Sequence, residues 1–137
     1  MPTQFMETAT ITIKDETSGG NLLSEIQIPI KSKTVTVKDI VEARVEYEVN
    51  KYNEKLPEYF MGLVQPTSAE KTLNGFKMKE RKKIDPEKQV YIALHAFQNN
   101  GYFVLIDDKQ AESLEQEILV TQKTVVSFVK LTPLVGG

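Results

Sequence analysis

Thr124-Val125-Val126-Ser127-Phe128-Val129-Lys130-Leu131-Thr132-Pro133-Leu134-Val135-Gly136-Gly137 decides how the rest of the chain is read. Thr124 to Leu131 is rich in β-branched residues and predicts a strand, and Pro133, which cannot donate to a ladder, ends it. A short apolar tail then leads to two glycines at the carboxyl end. Lacking Cβ atoms, Gly136 and Gly137 fit a channel too narrow for a side chain. A terminal carboxyl has a pKa of about 3.5 in peptides, so at neutral pH it is an ionised nucleophile able to attack the α-phosphate of ATP and form an acyl adenylate. The plainer alternative is a frayed end.

Working outward, the chain has 137 residues, enough for one domain to bury its own core, and residues 1–137 are expected to form a single unit. There is no cysteine, which excludes disulfides, thiolate metal sites and a cysteine nucleophile; any thiol in its chemistry belongs to a partner. Met1 to Glu7 has no basic region followed by an apolar run, and no stretch is long enough to span a membrane, so a cytoplasmic protein is expected. A formal charge of −2 argues against nucleic acid as partner of the whole surface.

Ala9, Ile11 and Ile13 alternate with threonines and Lys14, which predicts a half-buried strand, and Ile26, Ile28 and Ile30 predict a second, with Pro29 placing its end near an edge or bulge. Asp15 to Asn21 between them reads as turn chemistry. Ser18-Gly19-Gly20 lacks the spacing of a phosphate cradle and is read as a plain turn. Thr36 and Asp39 predict a capped helix with Val37, Ile40, Val41, Val45, Val49 and Tyr52 on one stripe, ending by Pro57. Arg44, Glu46 and Glu48 are assigned to its solvated side.

Residues 57–84 lose periodicity but keep large apolar residues, which predicts an ordered insertion, including a short helix capped by Thr67 with Glu70. Lys77, Lys79, Arg81, Lys82 and Lys83 place five of the chain's 17 basic residues within seven positions, a candidate docking patch for an acidic partner or RNA; few aromatics interleave, which favours a solvated loop. Asp85-Pro86-Glu87 opens a second helix with Val90, Ala93, Leu94 and Phe97 buried and Gly101 as the left-handed residue after its end. His95, the only histidine, has no companion ligand and reads as structural. Tyr102 to Ile106 predicts a covered strand, Asp107-Asp108 a turn rather than a metal or acid-base pair, and Leu114, Glu117, Ile118 and Val120 a short irregular strand or turn. If the first and last strands lie side by side, the helices cover one face and the tail leaves from the sheet's end.

An opening hairpin, a helix across it and a final strand running into Pro133-Leu134-Val135-Gly136-Gly137 resembles the β-grasp family of ubiquitin-like modifiers and sulfur carriers. Gly62 to Gly75 and Tyr102 to Gly137 are also similar to segments of bacterial ubiquitin-like proteins. The resemblance implies an α+β fold: a mixed sheet with helices on one face, an insertion before the second helix and a flexible tail at residues 132–137. It also implies that an adenylating enzyme of the ubiquitin-activating class, using ATP and Mg²⁺, activates Gly137, with Pro133, Leu134 and Val135 recognised by that enzyme. Transfer through a partner cysteine to a lysine, a thiocarboxylate at the same atom, or a non-covalent interaction module are the outcomes such a chain would serve; a conjugating enzyme and a deconjugating protease are the further partners implied. Leu134 and Val135 are apolar where ubiquitin has arginine before its glycines. With nothing after Gly137, no processing protease is expected. No nucleophile, base and orienting group converge, and no activity of its own is expected.

Overall fold

β1 (Ala9–Thr17) and β2 (Leu22–Ile30) form the antiparallel hairpin expected from their alternation. The computed structural model describes residues 9–30, 32–72 and 75–131. β1 runs further than the alternation suggests: Asp15, Glu16 and Thr17 are paired strand residues, not turn. The reversal itself is confined to Ser18-Gly19-Gly20-Asn21, closed by Gly20 N–H donating to the Thr17 carbonyl at 2.9 Å, with Gly20 at φ 87°. A glycine is needed there because an L side chain rarely adopts that backbone.

After β3 (Thr34–Thr36), α1 (Val37–Lys55) opens with the predicted capping box: Asp39 N–H donates to Thr36 Oγ1 at 3.1 Å, and Thr36 N–H donates to Asp39 Oδ2 at 2.9 Å. Two more of its first N–H groups, on Val37 and Lys38, donate to the carbonyls of Gln116 and Leu114 at 3.0 and 2.9 Å. Its end is sharp, with Leu56 left-handed at φ 48° ahead of Pro57. All six predicted stripe residues, Val37 to Tyr52, are buried.

The insertion is a small antiparallel sheet of β4 (Tyr59–Phe60), β5 (Ala69–Thr72) and β6 (Gly75–Met78), in the order β4-β6-β5. The helix predicted from Thr67 and Glu70 is replaced by β5, whose pairing with β6 overrides local helix propensity. Phe60 anchors this sheet in the core, edge-on to Tyr52 at 5.5 Å between ring centroids and stacked with Phe76 at 6.4 Å. Gly62 follows closely; a Cβ there would overlap the Phe60 ring.

α2 (Pro86–Gln98) begins as predicted, with Asp85 accepting from Glu87 N–H at 3.1 Å and Pro86 in the first turn. Its end differs from expectation. Asn100, at φ 59°, takes the left-handed position that was assigned to Gly101. Asn100 N–H donates to Phe97 and Gly101 N–H to Ala96, at 3.1 and 2.8 Å, which is a Schellman closure. Gly101 serves close approach instead, since a Cβ would come within 3.2 Å of the Ala96 carbonyl.

β7 (Tyr102–Ile106) and β8 (Lys109–Gln110) flank a two-residue turn in which Asp107 and Asp108 both have positive φ, 47° and 71°. β9 (Glu117–Leu119) pairs with β3, and β10 (Val125–Lys130) completes the larger sheet. That sheet has the order β2-β1-β10-β7-β8, with β1 and β10 parallel and the remaining neighbours antiparallel. The fold is therefore α+β with a mixed sheet and, among the described residues, two helices. Ile11, Ile13, Ile28, Val104, Val126 and Phe128 point to one face of the sheet and are almost fully buried beneath α1. α2 lies on the same face, where Tyr102 donates its hydroxyl proton to the Ala93 carbonyl at 2.7 Å and its ring meets Phe97. No described helix is long and apolar enough to cross a membrane.

Candidate functional site

The sequence directs attention first to the tail, and Pro133, Leu134, Val135, Gly136 and Gly137 lie outside the described residues. What is described is the base from which the tail departs. β10 lies at the centre of the sheet, and its last residue, Lys130, sits opposite Thr17 on β1 and Tyr102 on β7. Lys130 takes part in a cluster of charges under the sheet end, of which Arg44 and Asp15 are buried and Glu48 nearly so.

Arg44 is the centre of that cluster. Its side chain is 1 % exposed, against 9 % each for Asp15 and Glu48. One terminal nitrogen donates to Asp15 Oδ1; the other donates to Asp15 Oδ2 at 2.6 Å and to Glu48 Oε2 at 3.2 Å. The guanidinium also lies over the Phe128 ring, 4.5 Å from its centroid. Lys130 Nζ approaches Asp15 Oδ2 at 3.5 Å and the Gly62 carbonyl at 3.4 Å, while Leu63 N–H donates to the free Glu48 oxygen at 3.2 Å. Ser24 adds a hydroxyl donor to Asp15 at 3.2 Å. The cluster thus joins β1, β2, α1, the insertion and the end of β10. Arg44 Nε is buried without a partner among the described residues, a desolvation cost left standing. These geometries correct the solvated-side assignment: Arg44 and Glu48 are interior, and only Glu46 of the three is exposed.

The charge states follow from competing effects. Burial pushes the Asp15 carboxyl up, but hydrogen bonding and attraction to Arg44, helped by Lys130 and Ser24, more than offset it and hold Asp15 below its ordinary 3.8. For Glu48 burial wins: Arg44 opposes it, yet the carboxyl stays above its ordinary 4.5, with Asp15 adding repulsion. Burial disfavours the Arg44 cation, and Glu48 and Asp15 reverse that, keeping the guanidinium charged. One firmly ionised carboxylate and one that protonates easily share a single arginine.

The second candidate is the basic run, which the structure divides. Lys77, on β6, faces Glu58 at 3.9 Å, and Arg81 is exposed. Lys79, Lys82 and Lys83 instead line a cleft of about 420 Å³ between the insertion and the start of α2. Lys88, from α2, joins them, as do Thr67 and Ser68. Lys88 was missed by sequence reading because it lies outside the run and on another element.

The remaining candidates are structural. His95 is exposed and stacks on Tyr91 at 6.3 Å between ring centroids. Asp107 closes the sheet against β10 by accepting from Val125 N–H at 2.9 Å while its own N–H donates to the Val125 carbonyl at 2.9 Å. No group of three or more histidine, cysteine, aspartate or glutamate residues placed to hold a metal occurs among the described residues. No family model, curated protein or solved structure matches the chain.

Proposed function

We propose that the chain is a β-grasp, ubiquitin-like modifier whose Gly137 carboxyl, free or freed by cleavage after it, is the reacting group. The observation that carries this reading is the parallel pairing of β1 with β10 within the order β2-β1-β10-β7-β8, together with α1 across the hairpin. That arrangement is the one a β-grasp sheet requires, and it makes β10 the strand that feeds Pro133 to Gly137. Fold alone does not assign function, so the proposal also rests on the glycine pair.

In the proposed reaction the Gly137 carboxylate attacks the α-phosphorus of MgATP held by a partner enzyme, and the bond to pyrophosphate breaks. A partner thiolate then attacks the acyl carbon, AMP leaves and a thioester forms. A neutral lysine amine of the target then attacks the acyl carbon, the C–S bond breaks, and the departing thiolate takes up the amine proton as the amide forms. The chain's own residues supply the docking surface and the slender tail; ATP, Mg²⁺, the thiol and the catalytic groups are the partners'.

Incubation with MgATP and a candidate activating enzyme from the same genome tests this by intact-protein mass. A thiol-sensitive adduct that disappears when Gly136 and Gly137 are deleted is the expected result. Replacement of a Gly137 carboxyl oxygen by sulfur assigns the sulfur-carrier reading instead. The absence of either product with every adenylating enzyme of that genome overturns both.

A further inference from the structure

The cationic cleft is built rather than incidental. One wall is fixed at Ile84, whose N–H donates to Asn53 Oδ1 at 2.8 Å and whose carbonyl accepts from Asn53 Nδ2 at 3.0 Å, tying it to α1. The other wall is fixed through Val64, whose carbonyl accepts from the buried Gln89 of α2 at 2.9 Å. Both walls therefore hold their spacing without a ligand, which lowers the ordering cost of binding.

The charge inside is unbalanced. Glu80 is engaged by Lys82 at 2.8 Å, and Asp85 is turned to the Glu87 N–H as the helix cap. Lys79, Lys83 and Lys88 have no acidic partner within 4.0 Å among the described residues. Three ammonium groups around one opening repel one another, and an anionic occupant relieves that repulsion. The floor is aliphatic: Pro66, Met78 and Ile84 line it, and no aromatic ring does. Bases of single-stranded RNA are held by stacking on aromatic or guanidinium planes, which this floor lacks. Its volume of about 420 Å³ falls in the range of clefts that hold small ligands or a few side chains.

We infer that this cleft docks an acidic peptide segment of a partner protein, with an aliphatic side chain on Met78 and Ile84 and flanking carboxylates on Lys79, Lys83 and Lys88. Occupancy of the cleft requires no activation of the tail.

The test is a titration of the isotope-labelled full chain by NMR, paired with fluorescence anisotropy. The probe is a short labelled peptide alternating glutamate and leucine; a lysine–leucine peptide, inorganic phosphate and a uridine-rich RNA serve as comparators. The glutamate–leucine peptide is expected to shift the amides of Lys79, Ile84 and Lys88, with affinity falling as salt rises. The double variant Lys83→Glu/Lys88→Glu is expected to bind about tenfold more weakly or worse, while Lys109→Glu, on β8, binds as the parent does. A thermal melt establishes that both variants are folded. Shifts elsewhere on the surface, unchanged affinity in the double variant, or tighter binding of RNA or phosphate at the cleft each overturn the inference.

Discussion

Two regions of this molecule use charged side chains in opposite ways. Beneath the sheet end, Arg44, Asp15 and Glu48 are withdrawn from water and bonded to one another. In the insertion, Lys79, Lys82 and Lys83 stand at the surface, mostly unpaired. Position on the element decides which fate a charge meets. An interior charge is held by partners whose loss cannot be made good by solvent, whereas a surface charge loses little when its neighbours change.

The contrast is most sharply drawn by Arg44→Met. Removing the cation leaves Asp15 and Glu48 buried together, and urea unfolding is expected to show a loss of about 3–5 kcal/mol. The combined variant Asp15→Asn/Arg44→Met/Glu48→Gln is expected to recover at least about 1 kcal/mol of that loss, because no stranded charge remains. If the triple variant is as unstable as Arg44→Met, the contribution of Arg44 is contact with Phe128 and not charge pairing.

The two carboxylates should differ in their response to pH. Glu48, raised above 4.5 on folding, binds more protons in the native than in the unfolded state, so stability falls as pH rises above 4.5 through its folded value. Asp15, lowered below 3.8, contributes stability that is complete above 3.8 and is lost as pH falls through its folded value. Glu48→Gln is expected to abolish the first slope and Asp15→Asn the second, measured by urea midpoints across the acid range. The smallest effect belongs to the surface: Lys83→Glu is expected to change stability by less than about 0.5 kcal/mol in the same assay. A larger change would mean that the cleft lysines hold the insertion in place.

Much of this organisation was legible where a single local rule governs. Thr36 with Asp39 and Asp85 with Pro86 mark the helix starts because the capping groups lie within one turn of what they satisfy. The pairing of β1 with β10 followed from placing the first and last strands together, a topological constraint rather than a local one. The charge cluster was misread although its signal was present. Arg44 and Glu48 lie three and seven residues after Val41, on the stripe that continues to Tyr52, so helical periodicity placed them inside while residue type suggested outside. The same preference for residue type ended β1 at Lys14 and hid Asp15. β5 was illegible for a different reason: Ala69, Glu70 and Lys71 favour a helix, and only their partner strand makes them extended. The cleft needed two different elements to be packed together, with Lys88 contributed by a helix that local reading assigns to the core.

The pairing of β1 with β10 also has a consequence in time. The two strands at the middle of the sheet are separated by most of the chain, so the ladder between them forms only after a long loop has closed. Hairpin β1–β2 and both helices can assemble from neighbours, but the sheet has no centre until β10 arrives. A ribosome making this protein therefore leaves the inner edge of β1 without its partner strand until β10 has been synthesised.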